Sequence, residues 1–204
     1  MIIQGTQEFY AARLGKVTAS RVSDVVARTK AGTSEKRKRY LYELAAERLT
    51  GKPTDTPMTN AMLRGLELEP QARNRVNKNL KDFTITEAGF YEHPTIKHSG
   101  ASPDGLINSH GLLEIKCMGQ INHMKFLAEQ KIPKEHLEQI FWQQACMPER
   151  TFTIYVAFNP DFPAKQQFAM QKVHRDNPKI AELETQVKQF LNELDELIFN
   201  ITKE

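Results

Sequence analysis

The segment SGASPDGLINSHGLLEIKCMG, residues 99–119, constrains this chain more than any other stretch. It reads as two short apolar strands joined by a turn. Yet it carries Asp104, Glu114 and Lys116 where such strands are half buried. An unpaired buried charge costs on the order of several kcal/mol, so these groups must pair with one another or hold a metal. Side chains alternate along a strand. Glu114 and Lys116 therefore share one face, and Leu113, Ile115 and Cys117 take the other. If Asn108–Ser109–His110 forms a three-residue loop, Ile107 pairs with Gly111 and Asp104 falls opposite Glu114 on the same face. A loop one residue shorter or longer would put Asp104 on the wrong side.

Two converging carboxylates suit a hard divalent cation with oxygen ligands, Mg²⁺ or Mn²⁺. Such an ion lowers the pKa of a bound water and neutralises charge on a phosphoryl oxygen. A lysine two residues on can orient the attacking hydroxide or the scissile phosphate as a point charge. That is the chemistry of phosphodiester hydrolysis. The parts are weak signals alone. Glu-x-Lys recurs at Glu129–Gln130–Lys131, which reads as solvated helix surface, and Asp104 in Ser-Pro-Asp-Gly reads as a turn former. A structural salt bridge among the three is the competing reading.

Around this hairpin the chain reads as a mixed α/β layer. Short helices are expected at 6–12 and 18–28, then a helix from a Thr33 or Ser34 cap to Leu49, with Tyr40, Leu41, Leu44, Ala45 and Leu49 on one face. A further helix is expected after Thr56, with Pro57 at its first position and a kink or break at Pro70. FTITEAGFY (83–91) alternates like a strand, 119–130 and 134–146 read as helices, and TFTIYVAF (151–158) reads as a buried strand. QQFAMQKVHR (166–175) is expected to pair with it antiparallel. Asn177–Pro178 opens a long helix with the stripe Ile180, Leu183, Val187, Phe190, Leu191, Leu194, Ile198 and Ile201. The sheet is expected to be small and to lie in the second half, within one 204-residue domain.

No run approaches the roughly 20 apolar residues of a membrane span, and the N-terminus lacks the pattern of a signal peptide. A cytoplasmic location is expected. Cys117 and Cys146 make neither a disulfide framework nor a CxxC metal site; they read as buried thiols. Net charge is only +3, but residues 13–39 hold nine Lys or Arg against two acids, whereas from Asp176 onward seven acids face three lysines. The basic segment is either a solvated helix face or a phosphate-binding surface.

The blocks RLGKVTAS (13–20), RGLELEPQAR (64–73), SPDG (102–105), LLEIKC (112–117) and HLEQIFWQQ (136–144) resemble, in order and spacing, the lambda-exonuclease-like or YqaJ-like viral recombinase nucleases of the PD-(D/E)xK superfamily. The resemblance spans about residues 9–158. It implies a restriction-endonuclease-like core: a small mixed β-sheet flanked by helices, with an N-terminal helical part and a long C-terminal helix. It implies that Asp104, Glu114 and the backbone carbonyl of Ile115 bind Mg²⁺, that Lys116 is the catalytic lysine, that Glu69 reaches a second metal or its water, and that Gln139 lies near the scissile phosphate. Arg13, Ser20 and Ser102 would contact the 5′-terminal phosphate, and the basic segment would line the duplex path. The implied activity is 5′→3′ digestion of one strand of linear double-stranded DNA, leaving 3′ overhangs for strand annealing, by a homotrimeric ring that works with a phage single-strand annealing protein. Competing readings are another nuclease of the superfamily, such as a restriction-type endonuclease, and a non-catalytic DNA-end-binding module. The chain departs from the family pattern at His136, where a Tyr is frequent, and at Phe141, where a second Gln is common.

Overall fold

The computed structural model describes residue 2 and residues 4–30, 32–54 and 59–203. The first part contains helix α1 (Gln7–Arg13), strand β1 (Val17–Thr18), a 3₁₀ turn (Ala19–Arg21), helix α2 (Val22–Val25), strands β2 (Arg28–Thr29) and β3 (Gly32–Thr33), and helices α3 (Glu35–Thr50) and α4 (Asn60–Asn79). Short strands β4 (Ile85–Thr86), β5 (Tyr91–Glu92), β6 (Ser99–Ala101) and β7 (Gly105–Ile107) precede β8 (Gly111–Cys117). Helices α5 (Gln120–Glu129) and α6 (Lys134–Cys146), strands β9 (Phe152–Phe158) and β10 (Phe168–His174), and helix α7 (Asn177–Thr202) complete it.

The main sheet has the order β10-β9-β8-β7-β4. Strand β8 pairs parallel with β9 and antiparallel with β7, so it is central. The hairpin register is the expected one, with Ile107 opposite Gly111 and Gly105 opposite Leu113. A Cβ on Gly111 would lie 2.5 Å from the Phe152 ring, so only glycine lets β8 begin against β9 here. On one face of the sheet, Ile107, Leu113, Ile115, Ile154, Val156 and Phe158 pack against Ala72 and Val76 of α4. On the other, Tyr155 and Ala157 pack with Phe126 of α5 and Ile140 of α6. The far side of α6 buries Trp142, Ala145 and Cys146 against Tyr40 and Leu44 of α3 and Phe190 and Leu194 of α7. Burying each large apolar side chain contributes about 1.5–3 kcal/mol, so α6 is held from both sides. Both cysteines are free thiols.

Helix starts follow their caps. Ser34 accepts from the Arg37 N–H and Gly51 ends α3 with φ 67°. Asp176 accepts from the Lys179 N–H, with Pro178 in the first turn of α7. The start expected at Pro57 lies outside the described residues; α4 is described from Asn60, capped by Thr59. The break expected at Pro70 does not occur. The helix runs through it, and the carbonyl that Pro70 deprives of a donor belongs to Leu66, whose side chain is 59% exposed, so water can satisfy it.

Other expectations need correction. FTITEAGFY is not one strand: its ends become β4 in the main sheet and β5 in a second sheet of order β1-β6-β5. That second sheet draws in Val17–Thr18, so strand pairing is not confined to the second half of the chain. The helix expected at 18–28 shrinks to the 3₁₀ turn and the short α2, because Thr18 and Arg28 are taken by strands. Leu49 and Ile201 are 48% and 61% exposed, beyond the ends of their helices' buried stripes.

Candidate active site

A bend at Asp104, just before β7, leaves it outside the β7–β8 ladder. Its backbone N–H still donates to the Leu113 carbonyl at 3.0 Å. Its carboxylate Oδ2 accepts from the Ile115 N–H at 2.6 Å, supplying the rung that a further β7 residue would have made. The Asp104 side chain is thereby fixed beside β8. On β8, Glu114 and Lys116 point to the α6 side, opposite Leu113 and Ile115. Lys116 Nζ lies 2.7 Å from Glu114 Oε1 and donates to Gln139 Oε1 at 2.8 Å. Gln139 Nε2 returns a hydrogen bond to Glu114 Oε1 at 2.7 Å, and Gln143 Nε2 donates to Glu114 Oε2 at 2.6 Å. Glu114 is 2% exposed. Rather than facing an open cleft, it lies under α6.

The electrostatics are strained at Asp104. Desolvation, and then the neighbouring Glu114 charge, push its carboxyl up to about 8, against the pull of the Ile115 N–H and the Lys116 charge. For Lys116, burial works against the ammonium, but Glu114 outweighs it and the net shift is upward, so the lysine stays charged. Two carboxylates held this close are relieved by a hard cation. The donor set fits one: Asp104, Glu114 and the Ile115 carbonyl are all oxygen donors. Among the described residues no three His, Cys, Asp or Glu side chains form a metal cage. An ion here would keep part of its water shell, as Mg²⁺ commonly does.

Glu69 stands at the edge. Its Oε1 takes Arg73 Nε at 2.8 Å and Nη2 at 2.6 Å, and Arg73 Nη1 donates to the Asp104 carbonyl at 2.8 Å. Glu69 therefore faces a guanidinium, although its charge contributes to the rise at Asp104. Arg13 Nη1 donates to Ser102 Oγ at 2.9 Å, and its guanidinium lies over the Phe9 ring. Burial lowers the Arg13 pKa. Ser20 is separate: its hydroxyl meets Thr18 Oγ1 at 3.4 Å, and no described hydrogen bond joins it to Arg13 or Ser102. The structure thus gathers Asp104, Glu114, Lys116 and Gln139 into one cluster and Arg13 with Ser102 into another.

The sequence reading missed Gln143, Arg73 and the His136–Tyr155 pair, whose Nδ1 and hydroxyl are 2.7 Å apart. Spacing could have found the first: His136, Gln139 and Gln143 recur at three and four residues, the period of one helix face. Part of the basic segment is paired within the chain, while Arg28, Lys30 and Lys36 are exposed. Arg21 pairs with Asp24 and Glu43, Arg37 with Glu193, Lys38 with Glu35, Arg39 with Glu43, and Lys16 with Glu92.

No helix among the described residues is long and apolar enough to cross a membrane. Comparison with curated proteins gives no match. Among solved structures, the chain is similar to an alkaline exonuclease (LHK-Exo) from Laribacter hongkongensis, at 41% identity over 97% of both chains with a TM-score of 0.89. The same figures hold for that protein in complex with dAMP. A phage-related exonuclease from Haemophilus somnus 129PT, 16% identical over 92% of this chain and 96% of its own, shares the fold with a TM-score of 0.73. The fold is the PD-(D/E)xK-like fold of the alkaline exonucleases. Residues 8–151 match the YqaJ-like viral recombinase domain, a span that includes Arg13, Ser20, Glu69, Ser102, Asp104, Glu114, Lys116 and Gln139, and with the 41% identity this establishes that the chain belongs to the YqaJ-like viral recombinase family.

Proposed function

We propose that the protein is a Mg²⁺-dependent deoxyribonuclease that digests one strand of linear double-stranded DNA from its 5′ end. The observation that carries this is the buried cluster of Asp104, Glu114, Lys116 and Gln139, in which Asp104, bonded to the edge of β8, joins the Glu114–Lys116 pair on that strand. Asp104, Glu114 and the Ile115 carbonyl would hold Mg²⁺, with Mn²⁺ as a substitute. The bound cation supplies an acidified water and neutralises charge building on the phosphate. Lys116, restrained by Gln139, donates to the attacking oxygen or to the scissile phosphate as negative charge grows there. Water's oxygen bonds to phosphorus, the bond from phosphorus to the 3′ oxygen breaks, and a proton reaches that oxygen. The products are a 5′-mononucleotide and a shortened strand with a new 5′ phosphate. The relative solved with dAMP supports this reading, since a nucleoside monophosphate is what such digestion releases.

The Arg13–Ser102 pair would receive the terminal 5′ phosphate, because a guanidinium grips phosphate bidentately. Ser20 joins them if the phosphate bridges the gap. Glu69 contributes once it leaves Arg73. The homotrimeric ring, the phage annealing protein and the cytoplasmic location belong to the same proposal through the family resemblance. The test is digestion of 5′-phosphorylated linear and covalently closed circular duplexes, with Mg²⁺ and with EDTA. Mononucleotide release from linear DNA alone, abolished by EDTA, is expected. Cutting of the circle would make the protein an endonuclease, and absence of any Mg²⁺-dependent product would make it an end-binding module.

A further inference from the structure

Gln143 lies one turn beyond Gln139 on α6 and is fully buried. Its Nε2 donates to Glu114, while its Oε1 is buried with no hydrogen-bond partner among the described residues. A buried acceptor left unpaired costs about 1–3 kcal/mol. Flipping the amide cannot help, since it would set an oxygen against the carboxylate. The carboxylate therefore fixes the amide's orientation. For packing alone, a Met or Leu of similar volume would serve without the orphaned oxygen. The physical reason for an amide at this position is the donor it gives to Glu114.

A carboxylate oxygen has about two acceptor directions. Glu114 Oε1 accepts from both Lys116 and Gln139, whereas Oε2 accepts from Gln143 alone. Among the described residues, Oε2 is thus the Glu114 oxygen with a direction to spare. We infer that Gln143 is a positioning residue: by occupying one direction of Oε2 it sets the rotation of the Glu114 carboxylate, so that the remaining direction serves a divalent cation shared with Asp104. The inference rests on the metal reading of the Asp104–Glu114 pair.

The molecule contains its own control. Gln144 is the next residue, is equally buried, and its Oε1 also has no partner among the described residues. Its Nε2 donates to Thr153 Oγ1 at 3.1 Å, away from Glu114. Gln143→Met and Gln144→Met make the same chemical change at adjacent sites. Mn²⁺ binding to the full chain without DNA, followed by electron paramagnetic resonance, separates them, with melting temperatures measured alongside. Gln143→Met should weaken Mn²⁺ binding about 10–100-fold, the range for lost outer-shell partners. Gln144→Met should stay within about twofold whatever its melting temperature. In the digestion assay Gln143→Met should lower kcat and leave KM for DNA in place. If Gln143→Met does not fold, Gln143→Leu removes the same donor. An affinity unchanged by loss of that donor overturns the inference and leaves Gln143 a structural amide. Failure of the unmodified protein to take up Mn²⁺ would overturn the metal reading itself.

Discussion

Strand β8 presents two faces built on opposite principles. Toward α4 it offers Leu113, Ile115 and Cys117 to Ala72 and Val76, and the contact is apolar. Toward α6 it offers Glu114 and Lys116 to Gln139 and Gln143, and the contact is a hydrogen-bonded network with Glu114 at its centre. Apolar burial is non-directional and scales with area. A buried polar network depends on the satisfaction of each member. The α4 face should therefore accept changes of shape that keep volume, while the α6 face should fail on the loss of one donor. The α4 face holds the strand in place; the α6 face orients the groups that would do chemistry.

The sharpest break between the faces is expected at Lys116. Lys116→Ala removes the cation shared by Glu114 and Gln139, and cleavage of linear duplex should fall by about 10²–10³-fold or more, the scale of a lost transition-state donor. Binding of the same duplex in Ca²⁺ or EDTA should change little. A parallel loss of binding would mean that Lys116 grips the DNA in its ground state. On the other face, Leu113→Ala should lower stability by about 2–5 kcal/mol in urea titration, while Leu113→Met should cost under about 1.5 kcal/mol. Cleavage per folded molecule should survive both. If Leu113→Ala abolished cleavage without loss of stability, the two faces would not be separable.

The sequence made the apolar face and its register legible because a strand has period two: a three-residue loop at 108–110 aligns Asp104 with Glu114, and the observed pairing of Ile107 with Gly111 follows that count. The stripe of α7 was legible for the same kind of reason, with six of its residues buried from Ile180 to Leu194. The sheet-facing side of α6 was harder. His136, Gln139 and Gln143 recur at helical spacing, but they are polar, and a search for apolar periodicity passes over them. The partners of the basic N-terminal segment were illegible for another reason. Arg37 finds Glu193 across 156 residues of sequence, and no local pattern announces such a partner. The Glu69–Arg73 pair has helical i, i+4 spacing, but the reach of Arg73 to the Asp104 carbonyl, 31 residues away, has no local signal.

A last contrast tests whether the α6 face is also the pH-sensitive one. His136 sits on it, bonded to the Tyr155 hydroxyl, and Tyr155 is the β9 residue in register with Glu114. Burial, and next the charge of Lys116, lower the His136 pKa to about 4, so the folded protein holds it neutral. In the unfolded chain it protonates near the ordinary value of about 6.5. Between those limits the unfolded state binds the extra proton. Stability is therefore intact above about 6.5 and is lost as pH falls toward 4. The loss attributable to this residue should be on the order of 2–3 kcal/mol. His136→Gln keeps a hydrogen-bonding group beside Tyr155 and cannot titrate. Urea midpoints at pH 7 and pH 4.5 should then fall further for the unmodified protein than for the variant, whereas the carboxylates, common to both, cancel. Parallel falls would show that His136 is already free to protonate in the folded state, and the α6 face would then be wetter than its hydrogen bonds imply.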